Sequence, residues 1–369
     1  MRNFYLAIAV TAGAFLAAFW VSDRALAADE APPPIKAKPI VDAPFFSVND
    51  NRLTYSYIFQ GTDATHSIRA DGTVDGKTAR SVYAFTHFDA WAYGTNLANI
   101  TLLQSDHNDP ASPCSSPGVG FTGGAAICAG ESDFFGIERS TFGFNQIFDT
   151  KAFTVGPLRN VSLEVGADIG SSNTNFASAE RTLVAGLQFA IDLPYKGFFD
   201  VAPMAYKEFN RNGYDTCGLY GAGVPGVTCL SYGNVEYQTT WTIETNYYMD
   251  LGFLPPNLQY FAISGRAGWI GPKGDANGLP GLSGVGRFST ATKTALESEP
   301  IRLTFDASKA FMGDKYSHFV DLWVSYRYYQ NRFGLDHNAM PGVCTLASTG
   351  ASTGACTESS LSTGVTVKF

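Results

Sequence analysis

Between Asn234 and Tyr248 the chain reads NVEYQTTWTIETNYY, and its side chains fall into two sets of alternate positions. Val235, Tyr237, Thr239, Trp241, Ile243, Thr245 and Tyr247 form an apolar and aromatic set, while Glu236, Gln238, Thr240, Thr242, Glu244 and Asn246 form a polar one. A period of two places successive side chains on opposite faces of a β-strand. The run is long for a soluble sheet, where about 5–6 residues is typical. It is long enough to cross a bilayer at a tilt, which takes about 9–11 residues. A soluble sandwich produces the same alternation, so the rest of the chain decides.

The rest of the chain repeats it. The pattern predicts twelve strands, over 51–60, 79–88, 95–105, 133–145, 158–170, 179–191, 197–208, 234–248, 257–270, 294–307, 317–329 and 359–369. The apolar parity is clear in Leu53/Tyr55/Tyr57/Phe59, Val161/Leu163/Val165/Ala167/Ile169, Leu183/Ala185/Leu187/Phe189/Ile191 and Phe261/Ile263/Ala267/Trp269. It returns in Ile301/Leu303/Phe305/Ala307, Val320/Leu322/Val324/Tyr326/Tyr328 and Leu361/Thr363/Val365/Val367/Phe369. The facing parities carry charge: Glu164 and Asp168, Arg302 and Asp306, Asp321 and Arg327. The alternation slips in 95–105 and 133–145.

The breaks between strands sort by side. Long ones (61–78, 106–132, 209–233, 271–293, 330–358) alternate with short ones (89–94, 146–157, 192–196, 249–256, 308–316), and 171–178 is the one short break on the long side. Long loops at one end and tight turns at the other, joining an even number of strands, are the signature of an outer-membrane barrel. Closure also removes the sheet edges that lipid could not satisfy. The expected fold is therefore all-β, a transmembrane antiparallel β-barrel of twelve strands.

Three features refine this picture. Residues 1–27 read as a secretory signal peptide, with Arg2, an apolar run from Phe4 to Trp20 and an Ala25-Leu26-Ala27 cleavage site. Residues 28–49 read as a periplasmic tether, proline-rich over APPPIKAKPIVDAP, which leaves the barrel to 50–369. The net charge of −8, less the net +1 of Arg2, Asp23 and Arg24, gives a mature chain at −9. That balance argues against nucleic-acid partners. The six cysteines fall as Cys114/Cys128, Cys217/Cys229 and Cys344/Cys356, each pair within one long break. Bonding within each loop is the simplest arrangement, permitted by export. Zinc is the alternative, but no pair has C-x-x-C spacing and no histidine lies between the members of a pair, so no metal and no cofactor is expected.

Chemistry-like motifs are weak. Gly221-Ala-Gly223-Val-Pro-Gly226 matches a dinucleotide fingerprint literally but follows no strand-to-helix unit. Asp71-Gly72 and Asp75-Gly76 are turn dipeptides before they are calcium ligands. His66, His87, His107, His318 and His337 fall mostly in loops or at strand ends, and nothing points to a nucleophile paired with a base, so the chain is not expected to be an enzyme.

The C-terminus, alternating to Phe369, resembles the last strand of Gram-negative outer-membrane barrels, which the barrel-insertion machinery reads. Twelve strands, the block Phe135 to Pro157 (FGIERSTFGFNQIFDTKAFTVGP) and Tyr326-Arg327-Tyr328-Tyr329 resemble the nucleoside-specific channels of outer membranes. The three cysteine-pinned loops and the tether depart from that family. The resemblance implies a passive channel for nucleosides, in an outer membrane of lipid and lipopolysaccharide. Such a channel needs a site that is weak enough to leave. Phe319 and Trp323 flanked by Asp321, Ser325 and Arg327 supply candidate inward aromatics and charges, with Tyr206 and Tyr260 added to the lining. Glu164, Asp168, Glu236, Glu244 and Asp306 against Arg266 and Arg302 set a candidate field across the pore, or pair within a wet interior. Outward Tyr237, Trp241, Tyr247, Trp269, Tyr326 and Tyr328 read as interface girdles. The expected function is passive diffusion of small polar solutes, nucleosides first. The alternatives are a general porin and a structural or adhesive barrel with a plugged lumen.

Overall fold

The first strand, β1 (Phe46–Thr62), pairs with the last, β12 (Thr357–Lys368), in antiparallel register from Arg52↔Lys368 to Ile58↔Ser362. Between them run β2 (Lys77–Trp91), β3 (Gly94–Ser105), β4 (Ser132–Gly143), β5 (Leu158–Ser172), β6 (Ala179–Leu193) and β7 (Gly197–Arg211). Next come β8, in two segments Asn234–Glu236 and Thr240–Asp250, then β9 (Phe261–Ile270), β10 (Ala295–Asp306) and β11 (Val320–Gln330). Each strand pairs with its sequence neighbours, so the described residues form one closed antiparallel barrel of twelve strands. The computed structural model describes residues 45–62, 73–112, 129–174, 178–211, 234–274, 291–339, 344–346 and 348–369. The signal segment, the tether up to Pro44, and Cys114, Cys128, Cys217 and Cys229 lie outside them.

All twelve expected segments are strands. Their ends are trimmed where turns take over: α1 (Phe144–Ile147) follows Gly143, and α2 (Ala307–Met312) follows Asp306. At the β6–β7 turn, Tyr195 and Lys196 both adopt positive φ (56° and 60°), and the Gly197 amide donates to the Pro194 carbonyl at 3.0 Å. This is the primed hairpin turn that matches strand twist, built here without its usual Asn-Gly.

The two faces of the wall are inside out for a soluble protein. Leu53, Tyr55, Leu163, Leu183, Leu187, Trp241, Leu322, Val324 and Leu361 are exposed, while Ser56, Ser162, Glu164, Thr182, Ser325, Glu358 and Ser362 are buried. Water as the outer solvent would reverse that distribution. An apolar exterior around a polar interior is that of a barrel whose outer solvent is lipid.

β8 corrects one expectation. β7 pairs Phe209↔Glu236 but Tyr206↔Thr240, so four residues on β8 oppose three on β7. This β-bulge reverses the parity of what precedes it. Glu236 therefore stands on the outer wall, where Lys207 lies 2.9 Å away. Tyr237 turns inward, 7% exposed, with the Lys273 ammonium 4.7 Å from its ring centroid. Glu236 is not a lumen residue, and Tyr237 is not part of the outer girdle.

Cys344 and Cys356 form a disulfide, Cα–Cα 5.2 Å, in the β11–β12 connection at the long-loop end. Leu335 packs against both sulfurs' residues, and the Arg332 amide donates to the Cys356 carbonyl. Replacing both cysteines by alanine is expected to destabilise this loop by about 3 kcal/mol, the entropy of a loop of this size. Limited proteolysis within 331–356 checks it: cleavage should accelerate in the variant and in reduced wild-type protein alike.

Candidate functional site

The interior is built from the polar parity of each strand, and its centre is Arg139. Register partners Leu97↔Arg139 and Arg139↔Gly166 fix it on the inner face of β4. A Cβ at Gly166 would meet the Arg139 Cδ at 2.7 Å, so glycine lets the side chain lie against the wall. The guanidinium donates to Asp168 on β5 (2.6 and 3.2 Å) and to Glu244 on β8 (3.0 and 2.7 Å). It thus bridges strands that are not neighbours in the wall, using the fork geometry that suits carboxylates. Gln188 on β6 donates to the nearby Glu164 at 3.0 Å. Further toward the long-loop end, Glu208 accepts from the Tyr206 hydroxyl at 2.9 Å and from Lys273.

The wall of β9 to β12 carries arginines with carboxylates beside them. Arg302 on β10 donates to Glu299 at 2.7 Å, and its guanidinium carbon sits 4.0 Å over the Trp323 ring. Trp323 is 6% exposed, and its indole donates to Thr366 at 3.1 Å. Gly364 makes room for that indole, because a Cβ there would overlap Trp323 Cζ2. Arg327 on β11 donates to Glu358 at 2.6 Å and to the Tyr329 hydroxyl at 2.8 Å. Arg266 on β9 shares this face through its register partners Asn246 and Glu299. It is exposed and, among the described residues, has no ion-pair partner.

The short-turn mouth carries a third group. Asp306 and Asp321 are register partners across β10 and β11. Asp306 accepts from the Lys309 amide, the Ser308 and Ser317 hydroxyls and the His318 amide, all at 2.7–3.0 Å. His318, held at φ +60°, places Nδ1 3.0 Å from Asp321 and Nε2 3.1 Å from the Tyr248 hydroxyl. Tyr248 in turn donates to Asp250 at 2.6 Å. Asp306, His318 and Asp321 bring one ligand-type atom each within 4.8 Å, but these atoms are already engaged in this turn.

The bond to Asp321 raises the His318 pKa above its ordinary value, against the opposing effect of burial. Because the folded pKa is raised, its stabilisation is complete below the unfolded pKa, about 6.5, and is lost as pH rises through the folded value. The mouth is therefore expected to be tighter near about pH 5 than near about pH 9. Hydrogen exchange at 314–320 should quicken with pH beyond the intrinsic trend, and Asp321→Asn should flatten that dependence.

Several sequence-predicted site residues stand where expected, and several do not. Glu164, Asp168, Glu244, Arg266, Arg302, Asp321, Trp323 and Arg327 face the interior. Tyr206 does too, but it is buried and bonded to Glu208. Asp306 locks a turn at the rim. Phe319 precedes β11 at the short-turn rim, 43% exposed, its carbonyl accepting from the Lys368 amide at 2.9 Å. Tyr260 precedes β9 with its ring 6.4 Å from Phe305, an outward residue, so it belongs to the outer rim. Arg139, Glu208, Lys273, Glu299 and Glu358 were missed. Arg139 escaped because Leu97, Leu103 and Ile137 also take inward positions, blurring the alternation of β3 and β4.

No family model and no curated protein matches the chain. Solved structures similar to it include LpxR from Salmonella typhimurium, at 10% identity and a TM-score of 0.33, over 86% of this chain and 100% of that one. OccK1 from Pseudomonas aeruginosa gives 7% identity and a TM-score of 0.29, over 87% and 98% of the two chains. OccAB2 from Acinetobacter baumannii gives 8% and 0.29, over 89% and 99%.

Proposed function

We propose that this barrel sits in the outer membrane of a Gram-negative bacterium and passes small polar solutes by passive diffusion. The observation that carries the reading is the charged interior. Glu164, Asp168 and Glu244 line it with Arg302 and Arg327, mostly in ion pairs, and Arg266 is exposed and, among the described residues, without an ion-pair partner. Charged groups in a water-filled passage engage polar solutes while leaving each contact weak. The interior carries more carboxylates than cationic groups, so the channel favours cations over anions. Nucleosides are the first solute of the reading, on the resemblance of the Phe135–Pro157 and Tyr326–Tyr329 stretches. Arg302 already covers Trp323, so base stacking falls instead to Phe198 and Tyr248, whose rings lie 6.3 Å apart near the short-turn mouth. Phe369, 65% exposed, is the residue offered to the insertion machinery. The reading assigns no catalytic step to the chain.

Planar-bilayer recording tests this. Cation-selective conductance, partly blocked by nucleosides at millimolar concentration, is expected, and Arg266→Gln should increase the cation preference. Conductance untouched by nucleosides would remove the solute and keep the channel. A second reading, a plugged structural barrel, is favoured by the Arg139 bridge across the lumen. Absence of conductance in both wild type and Arg139→Gln would select it.

A further inference from the structure

The outer wall is not uniformly apolar. On β5 to β12, outward positions close to the short-turn end hold Leu163, Phe189, Val201, Tyr247, Ile263, Leu303, Leu322 and Val365, the apolar facing that lipid requires. On β1 to β4 the equivalent positions hold Asn49, Asn51, His87, Asp89, Asn96, Glu138 and Ser140. Register places all of these on the outside. Asn51 pairs with His87, His87 with Ala98 and Ala98 with Glu138, while Asn49 pairs with Asp89, Asp89 with Asn96 and Asn96 with Ser140. Arg139 and Thr141 point inward, so Glu138 and Ser140 point outward. Phe85 and Phe369, one step nearer the membrane centre or at the same row, meet ring to ring on this same face.

These polar residues form one chain of hydrogen bonds. Asn51 donates to Asn49 (3.2 Å) and meets His87 Nδ1 (2.8 Å). His87 Nε2 meets Asp89 (3.1 Å), which also accepts from Asn96 (2.8 Å). The Ser140 hydroxyl lies 2.7 Å from the Asn96 oxygen and 2.6 Å from Glu138 Oε1. Glu138 ends the chain. Its Oε1 is engaged and, among the described residues, its Oε2 has no partner. Below the patch, Phe45, Trp91, Tyr93 and Phe142 cluster at the rim, with centroid separations of 5.4–6.2 Å about Trp91. Aromatic clusters of this kind mark the level of the lipid headgroups.

Eight strands present apolar side chains at this level and four adjacent ones present polar groups and carboxylates, so this sector of the wall at headgroup level is suited to a polar headgroup. Charge selects it. Asp89 and Glu138 repel an anionic headgroup and would repel each other across a twofold contact between two copies of the barrel. A primary ammonium donates hydrogen bonds to Glu138, with the Ser140 and Asn96 groups beside it. A quaternary ammonium cannot donate. We propose that the outer wall of β1 to β4 is a binding site for a zwitterionic lipid headgroup with a primary ammonium, of the phosphatidylethanolamine class, anchored on Glu138. This inference rests on the membrane reading of the barrel.

The test is lipid retention by the intact protein, extracted from vesicles of equal parts phosphatidylethanolamine, phosphatidylcholine and phosphatidylglycerol and weighed by native mass spectrometry. Retention should follow that order. Glu138→Gln should weaken ethanolamine retention about tenfold, the loss of one charge-assisted hydrogen bond. Ser140→Ala, which frees Glu138 from its orienting bond, should weaken it less. Glu236→Gln, an outward carboxylate at the other end of the barrel, should leave it unchanged. Heat-modifiable migration on gels confirms that each variant is folded. Equal retention of the three lipids, or retention indifferent to Glu138→Gln, overturns the site and leaves the channel reading intact. Failure of the wild-type chain to enter vesicles overturns both, which separates the two failures.

Discussion

Replacing Arg139 with glutamine is expected to destabilise the barrel by about 3 kcal/mol and to raise its single-channel conductance. The guanidinium holds Asp168 and Glu244 together, and its own side chain and that of Asp168 are mostly withdrawn from water. Removing one member of such a group leaves like charges facing each other, which typically costs about 3–5 kcal/mol. The lower figure applies because the Glu244 side chain retains 32% exposure and the lumen water screens it. Glu164 stands close by and adds to the repulsion. Denaturant unfolding in vesicles reads the stability, and the triple variant R139Q/D168N/E244Q should recover most of it, since no unpaired charge then remains. The conductance should stay raised in the triple variant, because the bridge across the lumen is gone in both. A variant as stable as wild type would mean that the group is hydrated and contributes little.

The barrel was legible because lipid outside and water inside impose a two-residue period that no loop disturbs. Val161 to Ile169 and Leu361 to Phe369 show it without interruption, and both lie where the alternation places them. Twelve strands and the sorting of loops by end followed from the same pattern. What resisted reading was anything that depends on closure. Arg139 and Glu244 are 105 residues apart, and which strand faces which across the lumen depends on stagger around the whole wall, not on local sequence. The bulge after Glu236 is equally silent, since one extra residue in a continuous alternating run has no marker in NVEYQTT. It moved Glu236 out and Tyr237 in. Tyr260 was misplaced because parity was extended past the point where a turn begins. Trp323 was correctly placed inside, yet sequence could not reveal that Arg302 would cover its face. Periodicity shows which wall a side chain is on and nothing about what lies over it.

Two adjacent residues near the middle of β6 offer the sharpest division of inside from outside. Leu187 is 39% exposed on the outer wall, and Gln188 faces inward beside Glu164. An arginine on the lipid face near the bilayer midplane costs about 2–4 kcal/mol, whereas a lumen position is solvated and tolerant. Leu187→Arg is therefore expected to lower the unfolding free energy in vesicles by about 3 kcal/mol and to slow insertion. Gln188→Arg should change it by less than about 1 kcal/mol, because the longer side chain keeps a hydrogen-bonded partner in Glu164 and gains a charge pair. Its effect should appear in the current instead, where an added cation in an acidic lumen shifts ion preference toward anions. If both substitutions proved equally harmless, the exterior would be meeting water, and the two-residue period would have to be assigned to a soluble sheet. If both were equally damaging, the interior would be packed solid, and the lumen charges would be structural pairs with no solute to meet.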